Sequence, residues 1–452
     1  MTDHAEPDLL AIGDRVVALA RAGEQVEAVV VRSHDTEIRV YEGEIEQLSS
    51  ADSLGLGVRV ISDHRQGFAY AGTLDDDVLA ETLDEARDNA AFGTVDEALG
   101  LAEPDGVAVA DLDLFRDALA SHPTQAKVEL AIALEQAARA ADPRISGIES
   151  ADYADSIGEA AVVTTTGVRT LARETGCYVT ASVLATEGDE TQDGFWFSVG
   201  RDPSELDIAA AAEGAARRAT RLLGATKPAS ARLSVVLDPW VTAQLLGIIA
   251  STMSGELVLK GRSPFADRLG ESIAAGAVTL VDDPTNPAAF TATQTDGEGI
   301  ATRRNVLIDG GVLQGFLHNA YSARRMGTTT TGSAVRAGFK STPSVGPRAV
   351  ALVPGTKSQA ELVAQVGDGI LVQSVSGLHS GVNPVSGDFS TGAQGLRIGG
   401  GTLGEPLREF TIASTLQRML QDVDAVGNDI EWLPMSASGV SLVIHDVTVS
   451  GA

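Results

Sequence analysis

Arg303-Arg304-Asn305-Val306-Leu307-Ile308-Asp309-Gly310-Gly311-Val312-Leu313 places two apolar runs on either side of an Asp-Gly-Gly step. Glycine accepts the positive φ that a tight two-residue turn requires, so this stretch predicts a hairpin joining residues 305–308 to 312–316. Upstream, Asp296-Gly297-Glu298-Gly299 supplies another turn, and downstream Asn383-Pro384-Val385-Ser386-Gly387-Asp388-Phe389-Ser390 a third. The final region, from residue 231, therefore reads as strands and glycine turns. It opens on a strand at 233–237 and is interrupted by two helices, 240 to about 260 and 407 to about 423. Asp238-Pro239 suits the start of the first, because Asp accepts orphan N–H bonds and Pro loses nothing at the first helical position.

Working toward the N-terminus, apolar residues at helical spacing predict helices over 8–21, 75–91, 124–141 and 205–223. Between the first two lie strand candidates 27–32 and 37–41 around His34-Asp35, a turn at Gly43, and strands 57–62 and 67–71 flanking Asp63-His64-Arg65-Gln66. Strands 145–153, 159–165, 169–187 and 195–199 separate the last two. The acidic stretch 94–123, with breakers at Pro104-Asp105-Gly106 and His122-Pro123, reads as a linker. Helix, meander, helix occurs twice, either as a divergent duplication or as a common way to cover a sheet; the second is favoured, since no period-locked identities are visible. The expected fold is α+β: helix-covered antiparallel sheet modules at 1–118 and 119–230, followed by a glycine-rich, mostly β C-terminal domain at 231–452.

Composition narrows the function. The chain has 452 residues, 44% of them hydrophobic and 21% charged, as in an ordinary globular protein too long for one core. Its formal charge of −29 is concentrated in residues 1–232, which carry 19 Lys+Arg against 43 Asp+Glu. Nucleic acid is thus a poor partner, because phosphate must be met by Lys and Arg. A single cysteine, Cys177, excludes an intrachain disulfide and every multi-cysteine metal site. The first residues are acidic, without the basic-then-apolar order of a secretory signal, and no stretch approaches the ~18 apolar residues of a membrane helix. The expectation is a cytoplasmic protein without a membrane partner.

The hairpin words, taken with Gly55-Leu56-Gly57-Val58-Arg59-Val60, Thr331-Gly332-Ser333-Ala334-Val335-Arg336 and Val353-Pro354-Gly355, resemble the TldD/PmbA family, also called modulator-of-gyrase or peptidase U62-like proteins. The resemblance covers almost the whole chain. It implies a two-protein metalloprotease assembly acting on peptides. In its TldD-type members, the helix after the strand opening the last region carries His-Glu-x-x-x-His, which sets two imidazoles on one face for a metal and a glutamate as general base. The corresponding helix here, Leu245-Leu246-Gly247-Ile248-Ile249-Ala250-Ser251-Thr252-Met253-Ser254-Gly255-Glu256, has no histidine. The family's ligating cysteine near the C-terminus is also missing from Pro434-Met435-Ser436-Ala437-Ser438-Gly439. The resemblance therefore implies a PmbA/TldE-type subunit with no cofactor of its own, zinc on a TldD-type partner, and an extended peptide as substrate.

Spacing points to no ready replacement for the missing site. His4, His34, His64, His122, His318, His379 and His445 show no helical ligand spacing, although His379 with Asp388, or His318 with Glu298, can meet in space. Ser254 would need a base that sequence does not place. Gly55-Leu56-Gly57 lacks the following helix of a dinucleotide fingerprint, and Gly338-Phe339-Lys340-Ser341 splits the Gly-Lys pair of a P-loop. Catalytic and metal residues are accordingly set at none. Glu256, Asp296, Glu298, Arg303, Arg304 and His318 are the candidates for a substrate channel or partner contact, with Arg324-Arg325 behind them; Gly297, Gly299, Gly310, Gly387 and Asp388 are structural turns. Two rivals stay open: an independent hydrolase rebuilt around Glu256 or His318, and a homodimeric peptide-binding scaffold without proteolytic activity.

Overall fold

The computed structural model describes residues 8–451. Its first half is one sheet. Helix α1 (Leu9–Val17) leads into β1 (Gln25–Tyr41), β2 (Glu44–Ser62), β3 (Arg65–Ala71) and α2 (Asp76–Ala91); α3 (Asp117–Ala120) and α4 (Thr124–Ala140) precede β4 (Ile145–Thr164), β5 (Arg169–Glu187), β6 (Glu190–Gly200) and α5 (Ile208–Thr220). The strands lie in the order β3-β2-β1-β4-β5-β6, all antiparallel, so the two modules are joined edge to edge through β1 and β4.

That junction corrects two expectations. No turn occurs at His34-Asp35: β1 runs straight through, with Ser33 opposite Ser53, His34 opposite Asp52 and Asp35 opposite Ala51. Likewise β4 is unbroken between 153 and 159. Both strands have hydrogen-bonding neighbours on each side, so the ladder holds their polar middles without an apolar face. The turns at Glu42-Gly43 and Asp63-His64 do form, with positive φ at all four residues.

All four long helices lie on one face. Leu9, Ile12, Leu79 and Leu83 pack on Val26, Ala28, Leu56 and Val58. Val128, Leu134, Ala211 and Ala215 pack on Ile38, Tyr153, Val179 and Ala181. Because side chains alternate along a strand, the odd-numbered residues of β1 look the other way, toward the rest of the chain.

Residues 94–123 cross between these parts as an anchored strap. Leu101, Ala102 and Leu114 are buried; the Leu101 N–H donates to Gln25 Oε1 at 2.8 Å, and Ala110 O accepts from Gln294 at 3.0 Å.

In the second half, β7 (Ala231–Leu237) is followed by α6 (Pro239–Thr252) and α7 (Gly255–Leu259), then β8 (Leu280–Asp282), β9 (Asn305–Asp309), β10 (Val312–Leu313) and α8 (Ala320–Met326). The two-residue strands β11 (Ala334–Val335) and β12 (Ser344–Val345) precede β13 (Val350–Leu352), α9 (Gln359–Val366), β14 (Gly369–Ser376) and α10 (Leu378–Gly381). The chain ends with β15 (Asp388–Gly399), β16 (Thr402–Thr415), α11 (Leu416–Gln421), β17 (Val423–Val426) and β18 (Leu442–Ser450). Strands β16-β15-β14-β7-β18 close into a ring through pairing of β16 with β18, so the sheet has no free edge there.

The hairpin forms as read: Val312 pairs with Asp309 across Gly310 (φ 52°) and Gly311 (φ 86°). The helix expected over 407–423 does not. Residues 407–415 belong to β16, with Leu407, Phe410 and Ile412 buried and Thr411 exposed, and only α11 is helical. Pairing with β15 along this stretch overrides its local helical spacing. The helix expected from 240 to about 260 is interrupted at Met253-Ser254, where Ser254 bridges to Leu317 and the Gly255 N–H donates to Leu317 O at 2.8 Å.

Candidate functional site

Helix α6 stands at the centre of the C-terminal half. Asp238 caps it, accepting from the Trp240 N–H at 3.1 Å, with Pro239 at the first helical position. The same carboxylate receives Arg218 from α5 at 2.8 Å, and that guanidinium lies 4.0 Å over Trp196. Val241, Leu245, Leu246 and Ile249 bury three sides of α6 in the core. The fourth side faces a groove of about 520 Å³ lined by Gln244, Gly247, Ile248 and Ser251, with His379, Val382, Pro384 and Met435 opposite.

The turn read from sequence at 383–388 builds the far wall. Asn383 Oδ1 accepts from the Val385 and Ser386 N–H groups at 3.0 and 3.3 Å, and Ser386 donates to Asp388 at 2.7 Å. Gly387 has φ 86° and lies against the Gln417 side chain.

This groove does not fit a zinc ion. A catalytic zinc takes three protein donors from His, Cys, Asp or Glu. The groove face of α6 offers an amide, a glycine, an isoleucine and a serine, and His379 is the single imidazole along the walls. Among the described residues no three such side chains gather as a metal-holding group. Cys177 is buried with its thiol donating to Gly200 O at 3.5 Å, and burial, with Asp155 next, pushes its pKa up to about 12. Such a thiol is inert.

The other sequence words converge elsewhere, on the junction between the open face of the large sheet and the C-terminal half. Glu27 on β1 and Arg59 on β2 form a bidentate pair at 3.1 and 2.6 Å, both nearly fully buried. Arg336 reaches Glu27 at 2.7 Å and the carbonyls of Gly297 and Ser341 at 3.1 and 2.7 Å. Glu298 lies 3.6 Å from Arg59 and accepts from the Ala320 N–H at 2.8 Å. Asp296 accepts from the N–H groups of Glu298, Ile300 and Ala334 at 2.9–3.0 Å, and burial, reinforced by Glu298, raises its pKa. Gly55 and Gly57 complete the contact: Phe339 covers both so closely that an added Cβ would strike it. Asp296 and Glu298 thus act as interior struts of an electrostatic clasp.

The remaining candidates divide. Arg303 pairs with Asp105 of the strap, while Arg304 is half-exposed and 4.0 Å from Asp283. His318 is buried against Gly255, its Nδ1 3.2 Å from Ser322 Oγ, and burial lowers its pKa. Glu256 accepts from Asn319 at 3.3 Å and lies 3.6 Å from Lys260. The break between α6 and α7 therefore brings Glu256 beside the His318-Asn319 step. Arg324 holds the strap through Ala98, Gly100 and Leu101 carbonyls, and Arg325 lies 3.5 Å from Asp96. Sequence reasoning missed Glu27 as a clasp member; its signal was a lone acid among Val26, Ala28, Val29 and Val30, opposite a lone Arg59 among valines. A Ser234–His445–Asp424 row also exists at 2.7 and 3.4 Å. It lies at the surface, with the His445 side chain half-exposed.

Asp282, at the end of β8, carries a pH-dependent load. Its Oδ1 accepts from the Arg348 and Ala349 N–H groups at 3.0 and 2.7 Å, its Oδ2 is buried without a partner, and burial pushes its pKa up to about 6. A carboxyl raised in the folded state favours folding most below about pH 4 and loses that contribution as pH rises through about 6. Asp282→Asn keeps the accepting oxygen and removes the charge. It is expected to flatten the decline in stability between pH 4 and 6 and to stabilise the protein at pH 8 by about 1–3 kcal/mol, measured by urea melts across pH.

The long composite sheet, the closed strand ring and the helix facing a groove recur in known proteins. Models of PmbA/TldA metallopeptidase domain 1, central domain and C-terminal domain match residues 26–90, 117–223 and 230–451. The chain belongs to the PmbA/TldD family. It is 28% identical to "Metalloprotease PmbA" of Escherichia coli O157:H7, over 94% of this chain and 92% of that one. It is 26% identical to "Metalloprotease PmbA homolog" of Haemophilus influenzae, over 98% and 95%. The crystal structure of TldE from Thermococcus kodakarensis superposes with a TM-score of 0.87 at 25% identity, covering 98% of this chain and 99% of that one. No described helix is long and apolar enough to cross a membrane.

Proposed function

We propose that this chain is the subunit without a metal site in a TldD/TldE-type metalloprotease complex that degrades or processes unfolded or small peptides in the cytoplasm. One observation carries the reading: the α6 face that borders the groove presents Gln244, Gly247, Ile248 and Ser251, and no ligand set stands around it. The likeness to a protein called TldE supports it. Hydrolysis is then performed on a companion of TldD type, which holds zinc and supplies the activated water.

What this chain contributes is shape. Its groove is largely apolar and takes an extended backbone without selecting particular side chains, and the buried clasp holds the sheet face and the groove domain in one orientation. Such a half-chamber admits extended chain and excludes folded protein.

The test is reconstitution. The purified chain, a metal-bearing relative from the same genome, and their mixture are assayed for bound zinc and for cleavage of an unfolded peptide. The expected result is a stable 1:1 complex, with zinc on the companion and turnover at least a hundredfold above that of this chain alone. Stoichiometric zinc and peptide turnover in this chain by itself would overturn the proposal.

A further inference from the structure

β2 has 19 residues, and the strand that covers its outer edge has 7. β3 pairs with Leu56–Ser62 only, whereas residues 44–53 are bonded to β1 on one side and to no other strand among the described residues. All ten are exposed, including Ile45 at 48% and Leu48 at 44%. Long edges are commonly blunted by proline, by a bulge or by charged side chains, above all lysine; this one has no proline or lysine, and its charges are acids, which repel a like edge and favour a basic one. Here there is a single register shift beside Glu46, and from Gln47 onward the ladder with β1 is regular.

The start of the edge is also anchored. The N–H groups of Glu42 and Gly43, at the turn that starts β2, donate to the buried carboxylate of Glu135 on α4 at 2.9 and 2.7 Å. A preformed strand adds a partner with little ordering cost on its own side.

Charge says which partner. Residues 44–53 contain Glu44, Glu46 and Asp52 and no Lys or Arg. The nearest cation on β1, Arg39, is bonded to Asp152 at 2.7 Å, and His34 faces Asp52 at 2.8 Å. Antiparallel pairing of two copies of this edge would bring six carboxylates together, which opposes a homodimer through this strand. We infer that residues 44–53 form a strand-addition edge for the companion subunit, which supplies an extended segment with Lys or Arg opposite the acids and apolar side chains over Ile45 and Leu48.

This inference rests on the reading of the chain as half of a complex, and the experiment separates the two. Amide hydrogen exchange is followed on the full chain alone and with the metal-bearing companion. Exchange across 44–53 is expected to slow at least tenfold in the complex. The triple variant Glu44→Lys/Glu46→Lys/Asp52→Lys, and independently Leu48→Asp, are expected to weaken the complex at least tenfold. Both alter exposed side chains, and thermal melts are the check that they fold; Leu48→Ser serves as a milder version. A complex of unchanged affinity with unprotected 44–53 amides would overturn the inference and leave the proposed function standing. Failure of the wild-type chain to form any complex would remove both.

Discussion

Arg59→Met is expected to destabilise the protein by about 3–5 kcal/mol, the scale seen when one partner of a buried ion pair is removed. Arg59 is 5% exposed, and its guanidinium stands between the carboxylates of Glu27 and Glu298. Methionine keeps much of the side-chain volume, so the loss is electrostatic more than steric. Glu27 retains Arg336, but Glu298 is left with a buried, uncompensated Oε1. Adding Glu298→Gln to the Arg59→Met background removes that charge while an amide oxygen can still accept from Ala320, and should recover part of the deficit. Guanidinium melts of the three proteins measure it. A change below about 1 kcal/mol in Arg59→Met would show that the clasp contributes nothing net. Since the clasp joins β1 and β2 to the loops at 296–299 and 336–341, its loss should also speed amide exchange along the junction.

The second large effect concerns the groove. Gly247 lies on the open side of α6, and a Cβ placed there meets nothing closer than Ser436 Oγ at 3.7 Å. Gly247→Ala should therefore be tolerated and gain up to about 1 kcal/mol of helix propensity. Gly247→Trp would instead project an indole into the groove of about 520 Å³, between Ile248 and the wall formed by His379 and Pro384. In the reconstituted complex it is expected to cut peptide turnover at least tenfold while leaving zinc content and melting temperature near those of the Ala variant. Full activity in Gly247→Trp would show that substrate does not pass along α6. The pair of substitutions separates blockage from unfolding, because both change the same position.

Most local geometry was legible in the chain. Residues 309–311 announce their hairpin because few sequences besides Asp-Gly-Gly satisfy two consecutive positive φ values, and the structure has them at Gly310 and Gly311. Helices α2 and α4 match their periodic apolar faces to within a residue of the expected ends. The empty face of α6 was equally readable, since a helix without histidine cannot acquire one by folding. Where reading failed, the ladder decided. Polar residues at 33–36 looked like a break between strands but are central in a sheet, and residues 407–415 looked helical but pair with β15.

Residue identity by itself determined the turns, the amphipathic helices and the absence of metal ligands along α6, because each depends on a φ preference, a local period or a side chain's chemistry. Tertiary structure alone decided that Glu27, Arg59, Glu298 and Arg336 meet, that Gly55 and Gly57 make room for Phe339, and that residues 44–53 are left as a bare edge. Those facts depend on pairing between segments up to 309 residues apart, as for Glu27 and Arg336. A buried charge reveals its partner only once the surrounding backbone has excluded water from both.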